Sequence, residues 1–138
     1  MTNAAAHAAP ARSRVAHRAL WVLQILMGVF FIVASAAPKF AGEAYAVQIF
    51  TEIGAGQWFR YLIGAIELAG GIGLMVPRLA GPAAVGLMGL MVGAGYTQAV
   101  VLDAPVMVTT PVILFVLAGV VAWGRRESIT AWIPGRDR

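Results

Sequence analysis

At 138 residues the chain has the length of one domain, and its charged fraction of 12% is about half the ~25% usual for soluble proteins. A hydrophobic content of 60% and a mean hydropathy of +0.81 read as an integral membrane protein. The net charge of +4 is therefore no nucleic-acid footprint, because the basic residues sit in short segments beside apolar runs. With no cysteine, disulfide exchange, thiolate catalysis and Cys-ligated metal are excluded. The two histidines, His7 and His17, precede the first apolar run, which argues against haem held by paired intramembrane imidazoles.

Residues 1–17 read as a disordered basic tail, rich in alanine with Pro10, Arg12 and Arg14. The first span is expected over about 19–37. It stops before Pro38, which removes a backbone donor. A signal peptide competes with this reading, since Ser35-Ala36-Ala37 has the small residues of a cleavage site, but the apolar run is long and more spans follow. Gln24 is the strongly polar residue of this span, and Lys39 follows it, able to snorkel. Residues 40–56 are too short and polar to span. Phe40, Ala44, Val47 and Phe50 fall near helical spacing, which predicts a short interfacial helix between spans one and two.

The second span, about 57–76, opens on the aromatic cluster Trp58, Phe59 and Tyr61 and carries Glu67 near its middle. A carboxylate there costs on the order of 2.5–3.5 kcal/mol even on lenient insertion scales, so it needs a compensating reason. Arg60 lies two helical turns earlier on nearly the same face, as a snorkelling residue or a partner for Glu67. Gly64 and Gly71 flank the carboxyl and suit close helix packing. Pro77-Arg78 and Gly81-Pro82 mark a turn. The third span, about 82–102, contains Gly89 and Gly93 in a GxxxG pattern that also reads as packing, and ends near Tyr96, Thr97 and Gln98. Asp103 is placed to cap the fourth span, about 105–124, in which Pro111 after Thr109 and Thr110 suggests a kink. The spans form an expected domain over 18–124, and residues 125–138 are a short tail.

These features predict an all-α, four-helix transmembrane bundle. Arg12, Arg14, Arg18, Arg78, Arg125, Arg126, Arg136 and Arg138 fall on one side and only Lys39 and Arg60 on the other, which puts both termini in the cytoplasm. Glu67, Arg60, Gln98, Tyr96, Lys39, Thr109 and Thr110 then gather at mid-depth and outside it, where an outward-facing ligand pocket centred on Glu67 is expected. Alternatively these groups fix helix packing by bonding one another.

Three segments carry a family resemblance. GVFFIVASAAPKFAG over 28–42, YLIGAIELAGGIGLMVPRLAGPAA over 61–84 and GAGYTQ over 93–98 resemble, in order and spacing, the DoxX-like family of small four-span membrane proteins. Lys39, Glu67 and Gln98 occupy its motif positions, with Gln98 where many relatives have histidine, so that position here does not titrate. The family is named for the small membrane subunit of a thiosulfate:quinone oxidoreductase. The resemblance implies an auxiliary or quinone-interacting subunit of an inner-membrane redox system, with no catalysis of its own. No covalent cofactor and no metal are expected, and quinone is the candidate ligand. The candidate partners are the lipid bilayer, a membrane or peripheral oxidoreductase and a second copy of the chain, with no nucleic acid. Two rivals stand beside it: a small proton-coupled transporter, and an assembly or chaperone factor in which Glu67 is structural.

Overall fold

A computed structural model describes residues 11–135. Residues 1–10 of the tail predicted over 1–17 lie outside them, as do residues 136–138. The described residues are helical, with no strand among them. α1 (Ala11–Val29) passes into a π-helical stretch, Phe30–Ala36, and on into α2 (Ala37–Ala41). The first helix therefore differs from expectation at both ends. It begins at Ala11 and carries His17, and it runs through Pro38 rather than stopping at Ala37. The π-turn loosens the i→i−4 ladder immediately before Pro38, where a missing N–H and a bulky ring would otherwise break a regular helix. The helix ends at Gly42, whose φ of 70° supplies the left-handed residue that closes a helix C-terminus.

α3 (Ala44–Ile53) follows, then α4 (Gln57–Met75), α5 (Ala80–Tyr96) with a π-helical extension Thr97–Val101, and a 3₁₀ turn, Pro105–Val108. α6 (Thr109–Gly124) and the short α7 (Arg126–Thr130) complete the chain. Asp103 does not cap the fourth helix. It takes a φ of 49°, and Ala104 is the residue at the start of the 3₁₀ turn. Pro111 falls in the first turn of α6, where its absent N–H would have no partner anyway, so no kink is required.

Three of these helical stretches, Ser13–Ala41, Ala80–Val101 and Pro105–Gly124, are long and apolar enough to cross a membrane. α4 is not among them, although it has nineteen residues. Gln57, Arg60 and Glu67 lower its mean hydropathy, and all three bond within the protein. α1 packs against α4 and α6, α4 against α5 and α5 against α6, so the four long helices close a ring. Leu26, Val33, Val92 and Val116 face outward and exposed, as lipid-facing residues should.

The packed core fills one half of the ring, from Met27 and Phe31 across Leu74, Leu87 and Met91 to Ala118 and Val121. The same end is stitched by polar contacts. Gln24, wholly buried, donates from Nε2 to the Leu74 carbonyl at 2.7 Å and accepts from Arg125 Nε at 2.7 Å. The Gly81 N–H donates to Ser128 Oγ at 3.0 Å, and Trp132 Nε1 donates to the Arg78 carbonyl at 3.1 Å.

Where α1 crosses α4, Gly28 faces Gly71. A methyl group on Gly71 would sit 2.9 Å from the Gly28 carbonyl oxygen, and one on Gly28 would sit 2.8 Å from that of Gly71. Since backbone cannot step aside as a side chain can, Gly71→Ala should destabilise the protein by about 1–3 kcal/mol. Gly89→Ala meets open space. It should be neutral or gain up to about 1 kcal/mol from reduced chain entropy. Unfolding midpoints of the two variants in one detergent check the contrast.

Candidate functional site

The half of the ring without packed core holds a cavity of about 430 Å³. Its polar end is built where the first helix meets α4. Ser35 and Lys39 lie one helical turn apart and share a face. Glu67 approaches that face from α4 and is 5% exposed. Its Oε1 accepts hydrogen bonds from Ser35 Oγ at 2.8 Å and Lys39 Nζ at 3.1 Å. Its Oε2, buried, lies 2.8 Å from the same ammonium, so the carboxylate faces the charge with both oxygens. Lys39 also donates to the Ser35 carbonyl at 3.0 Å and to Ser35 Oγ at 3.3 Å. A charge taken from water into a helix bundle is thus met by opposite charge and directed hydrogen bonds together, which offsets part of its desolvation cost.

Arg60 is placed differently from either sequence reading. It neither snorkels nor pairs with Glu67. The side chain is 5% exposed, and its Nη1 donates to the Lys39 carbonyl at the end of α2. Its Nε donates to Gln57 Oε1 at 2.7 Å, while Gln57 Nε2 donates to Thr51 Oγ1 at 3.1 Å and the Val47 carbonyl at 3.3 Å. The guanidinium also stacks over Tyr61, 4.4 Å from its ring centre. Arg60 is therefore a junction of α2, α3 and α4, and it satisfies a helix-terminal carbonyl with positive charge.

Of the sequence-predicted ligand residues, Lys39, Glu67 and Gln98 line the cavity. Arg60, Tyr96, Thr109 and Thr110 do not. Tyr96 is 62% exposed on the outer surface. Thr109 is exposed and donates to the Val106 carbonyl at 3.0 Å, closing the 3₁₀ turn, and Thr110 is exposed beside it. The predicted packing glycines also divide. Gly64 lies against Lys39 and Phe40, and Gly71 against Gly28, Phe31 and Ile32. Gly89 and Gly93 face the cavity, with open space where a side chain would project. Their GxxxG spacing makes room for contents rather than for a helix.

Several contributors escaped the sequence reading. α3 does not present the expected stripe of Phe40, Ala44, Val47 and Phe50; it turns Ala46, Ile49, Phe50 and Ile53 onto the cavity. It is bounded by left-handed glycines, Gly42 before it and Gly54 after it, the latter with φ 78°. Both π-helical stretches meet the same space, one through Ala34 and Ser35 and the other through Thr97 and Gln98. Such turns re-aim side chains and recur at functional sites. Ser35 was legible in principle, one turn before Lys39, but a helix read as ending before Pro38 leaves that spacing without meaning.

A model of the DoxX-like family matches residues 22–121. The chain belongs to the DoxX-like family. No curated protein and no solved structure matches it. Within this DoxX-like chain Lys39 and Glu67 are in direct contact, and Gln98, in the π-helical extension of α5, lines the cavity.

Lys39→Gln should leave the Glu67 carboxylate buried without its counter-charge and cost about 3–5 kcal/mol. Lys39→Gln combined with Glu67→Gln removes both charges and should recover much of that loss. A double-mutant cycle on unfolding in detergent reads the coupling.

Proposed function

We propose that this DoxX-like protein is a four-span inner-membrane subunit with both termini in the cytoplasm, whose cavity opens outward and receives the ring of a membrane-soluble quinone. In this reading it serves a redox system as an auxiliary subunit, and electron transfer belongs to a partner oxidoreductase. The observation that carries the reading is the cavity itself. Its walls from α3, α4 and α5 are apolar, and one end holds the buried Lys39–Glu67 pair with Gln98 opposite. Its volume of about 430 Å³ falls within the ~300–1,000 Å³ range of small-molecule sites. An apolar ring with polar substituents matches that division of surface better than a hydrated ion does.

Counting α4 as the fourth span rests on length and on internal compensation. Nineteen residues at ~1.5 Å rise cover about 28 Å, close to the ~30 Å hydrocarbon core. Its charged side chains are bonded to α2, to the π-turn and to Gln57 rather than presented to lipid. The excess of arginine on the Arg78 and Arg125 side supports the orientation.

Two experiments test this. The natural chain has no cysteine, so single cysteines can be introduced at Glu43 and Arg126. Membrane-impermeant maleimide should label the first in intact cells and the second only after lysis; the reverse pattern overturns the orientation. Purification from native membranes in mild detergent, followed by mass spectrometry, should recover quinone with the protein. Gly93→Leu, which fills the cavity, should lower that recovery at least about tenfold, equivalent to ~1.4 kcal/mol. Equal or absent quinone in both samples sinks the quinone reading.

A further inference from the structure

The cavity has an apolar neighbour. A second hollow of about 300 Å³ lies between α4 and α5, walled by Ile66, Gly70 and Gly73 on one side and Pro82, Gly86 and Leu87 on the other. None of the described residues on its wall has a polar side chain. Its floor is closed, because the two helices touch there. A methyl group on Gly70 would sit 2.6 Å from Leu87 Cδ2, and one on Gly73 would sit 2.7 Å from Ala83 Cβ. Its flank on α5 is open, since nothing lies within 4 Å of where a side chain on Gly86 would project. The two spaces adjoin. Gly86 on the hollow and Gly89 on the cavity stand about one helical turn apart on α5, and Ile66 and Ile63 do the same on α4. Glu43 and Tyr45, both exposed, mark one margin of the cavity, and Gly89 and Gly93, exposed too, mark another. At that second margin the cavity opens sideways, onto a surface that faces lipid in the four-span reading. Helix contact explains Gly70 and Gly73. It does not explain Gly86, Gly89 and Gly93, which meet open space although glycine within a helix costs chain entropy.

We infer that the ligand enters the cavity from the bilayer, between α4 and α5, and that its hydrocarbon tail lies along Gly93, Gly89 and Gly86 into the second hollow. This deepens the quinone reading given above and rests on it. The ring occupies the cavity, and the tail leaves by the glycine margin, where any larger residue would narrow the passage. A tail moving from lipid into the hollow gains little from the hydrophobic effect, since lipid is as apolar as the walls. What holds it is close contact with those walls, together with its attachment to the seated ring. The substrate class is therefore a ring that carries a long alkyl or isoprenoid chain, with the chain bound in a fixed place.

The test uses the full chain in detergent with a pair of photoactivatable probes. One is a benzoquinone whose decyl tail ends in a diazirine, and the other is the same tail and diazirine without the ring. After irradiation, mass spectrometry should place the quinone probe's label on residues 66–73 and 79–87. Excess decyl benzoquinone should lower that labelling about tenfold, and the ringless probe should mark the hollow no more than outward residues such as Val116. Gly86→Leu fills the hollow where a side chain has room. It should lower labelling there about tenfold while retained quinone stays within a factor of about two. Should that variant fail to fold, the comparison of the probes on the natural chain decides alone. Label that excess quinone displaces but that is spread evenly over the exterior, or is unchanged by Gly86→Leu, overturns the tail path while the cavity reading stands. Equal labelling of the hollow by both probes also overturns it, because the hollow then takes any alkyl chain. If excess quinone displaces nothing and Gly93→Leu leaves retained quinone unchanged, the cavity reading itself fails and this inference with it.

Discussion

A carboxylate held deep among apolar helices stays there only if charge and directed hydrogen bonds replace the water it has left, and in this protein Lys39 and Ser35 replace it. Much of the first helix follows from that requirement. Lys39 can reach Glu67 only if the helix continues past Pro38, and the π-turn over Phe30–Ala36 is what lets it continue. The helix must then end with its last carbonyls satisfied, which Gly42 and Arg60 accomplish from opposite sides. Gly64 admits the stem of Lys39 and the ring of Phe40 against α4. One buried ion pair thereby sets the path of the chain over several turns.

The two ends of the bundle are built on different terms. Near Arg78 and Arg125, large side chains fill the space and the polar groups are tied across helices, as in the chain from Leu74 through Gln24 to Arg125. Within lipid such packing is driven by van der Waals fit and hydrogen bonds, since lipid tails are as apolar as leucine. The Lys39 end instead lacks bulk where α5 carries Gly89 and Gly93, and α3 lies over the gap. Stability is concentrated at one end and open volume at the other.

Sequence reasoning reached the helical class, three of the apolar spans and the burial of Glu67, because each has a local signature: composition, run length, and a charge where charge is costly. Lys39 and Gln98 were legible as motif positions. What it missed depended on geometry that residue types do not encode alone. Pro38 reads as a stop unless a π-turn precedes it, and that change alone hid Ser35. Arg60 reads as a partner for Glu67 because they share a face two turns apart, but a guanidinium bonds as readily to a free carbonyl, and α2 ends beside it. Tyr96, Thr109 and Thr110 do not line the cavity, since position along a helix is legible in sequence while facing follows from helix rotation. GxxxG has the same spelling whether it meets a helix or a void.

Arg60 and Glu67 also act together as a ruler. Both grip the same residue, one by the carbonyl of Lys39 and the other by its ammonium, from points two turns apart along α4. With Gln24 holding Leu74 farther along, the first helix and α4 are fixed in register at separate heights. A sliding or screw displacement of one against the other would break these contacts at once, so this pair of helices forms a rigid frame. α3 stands outside that frame, a short helix whose flanking backbone turns through Gly42, Gly54 and Gly56 and which none of these three grips holds.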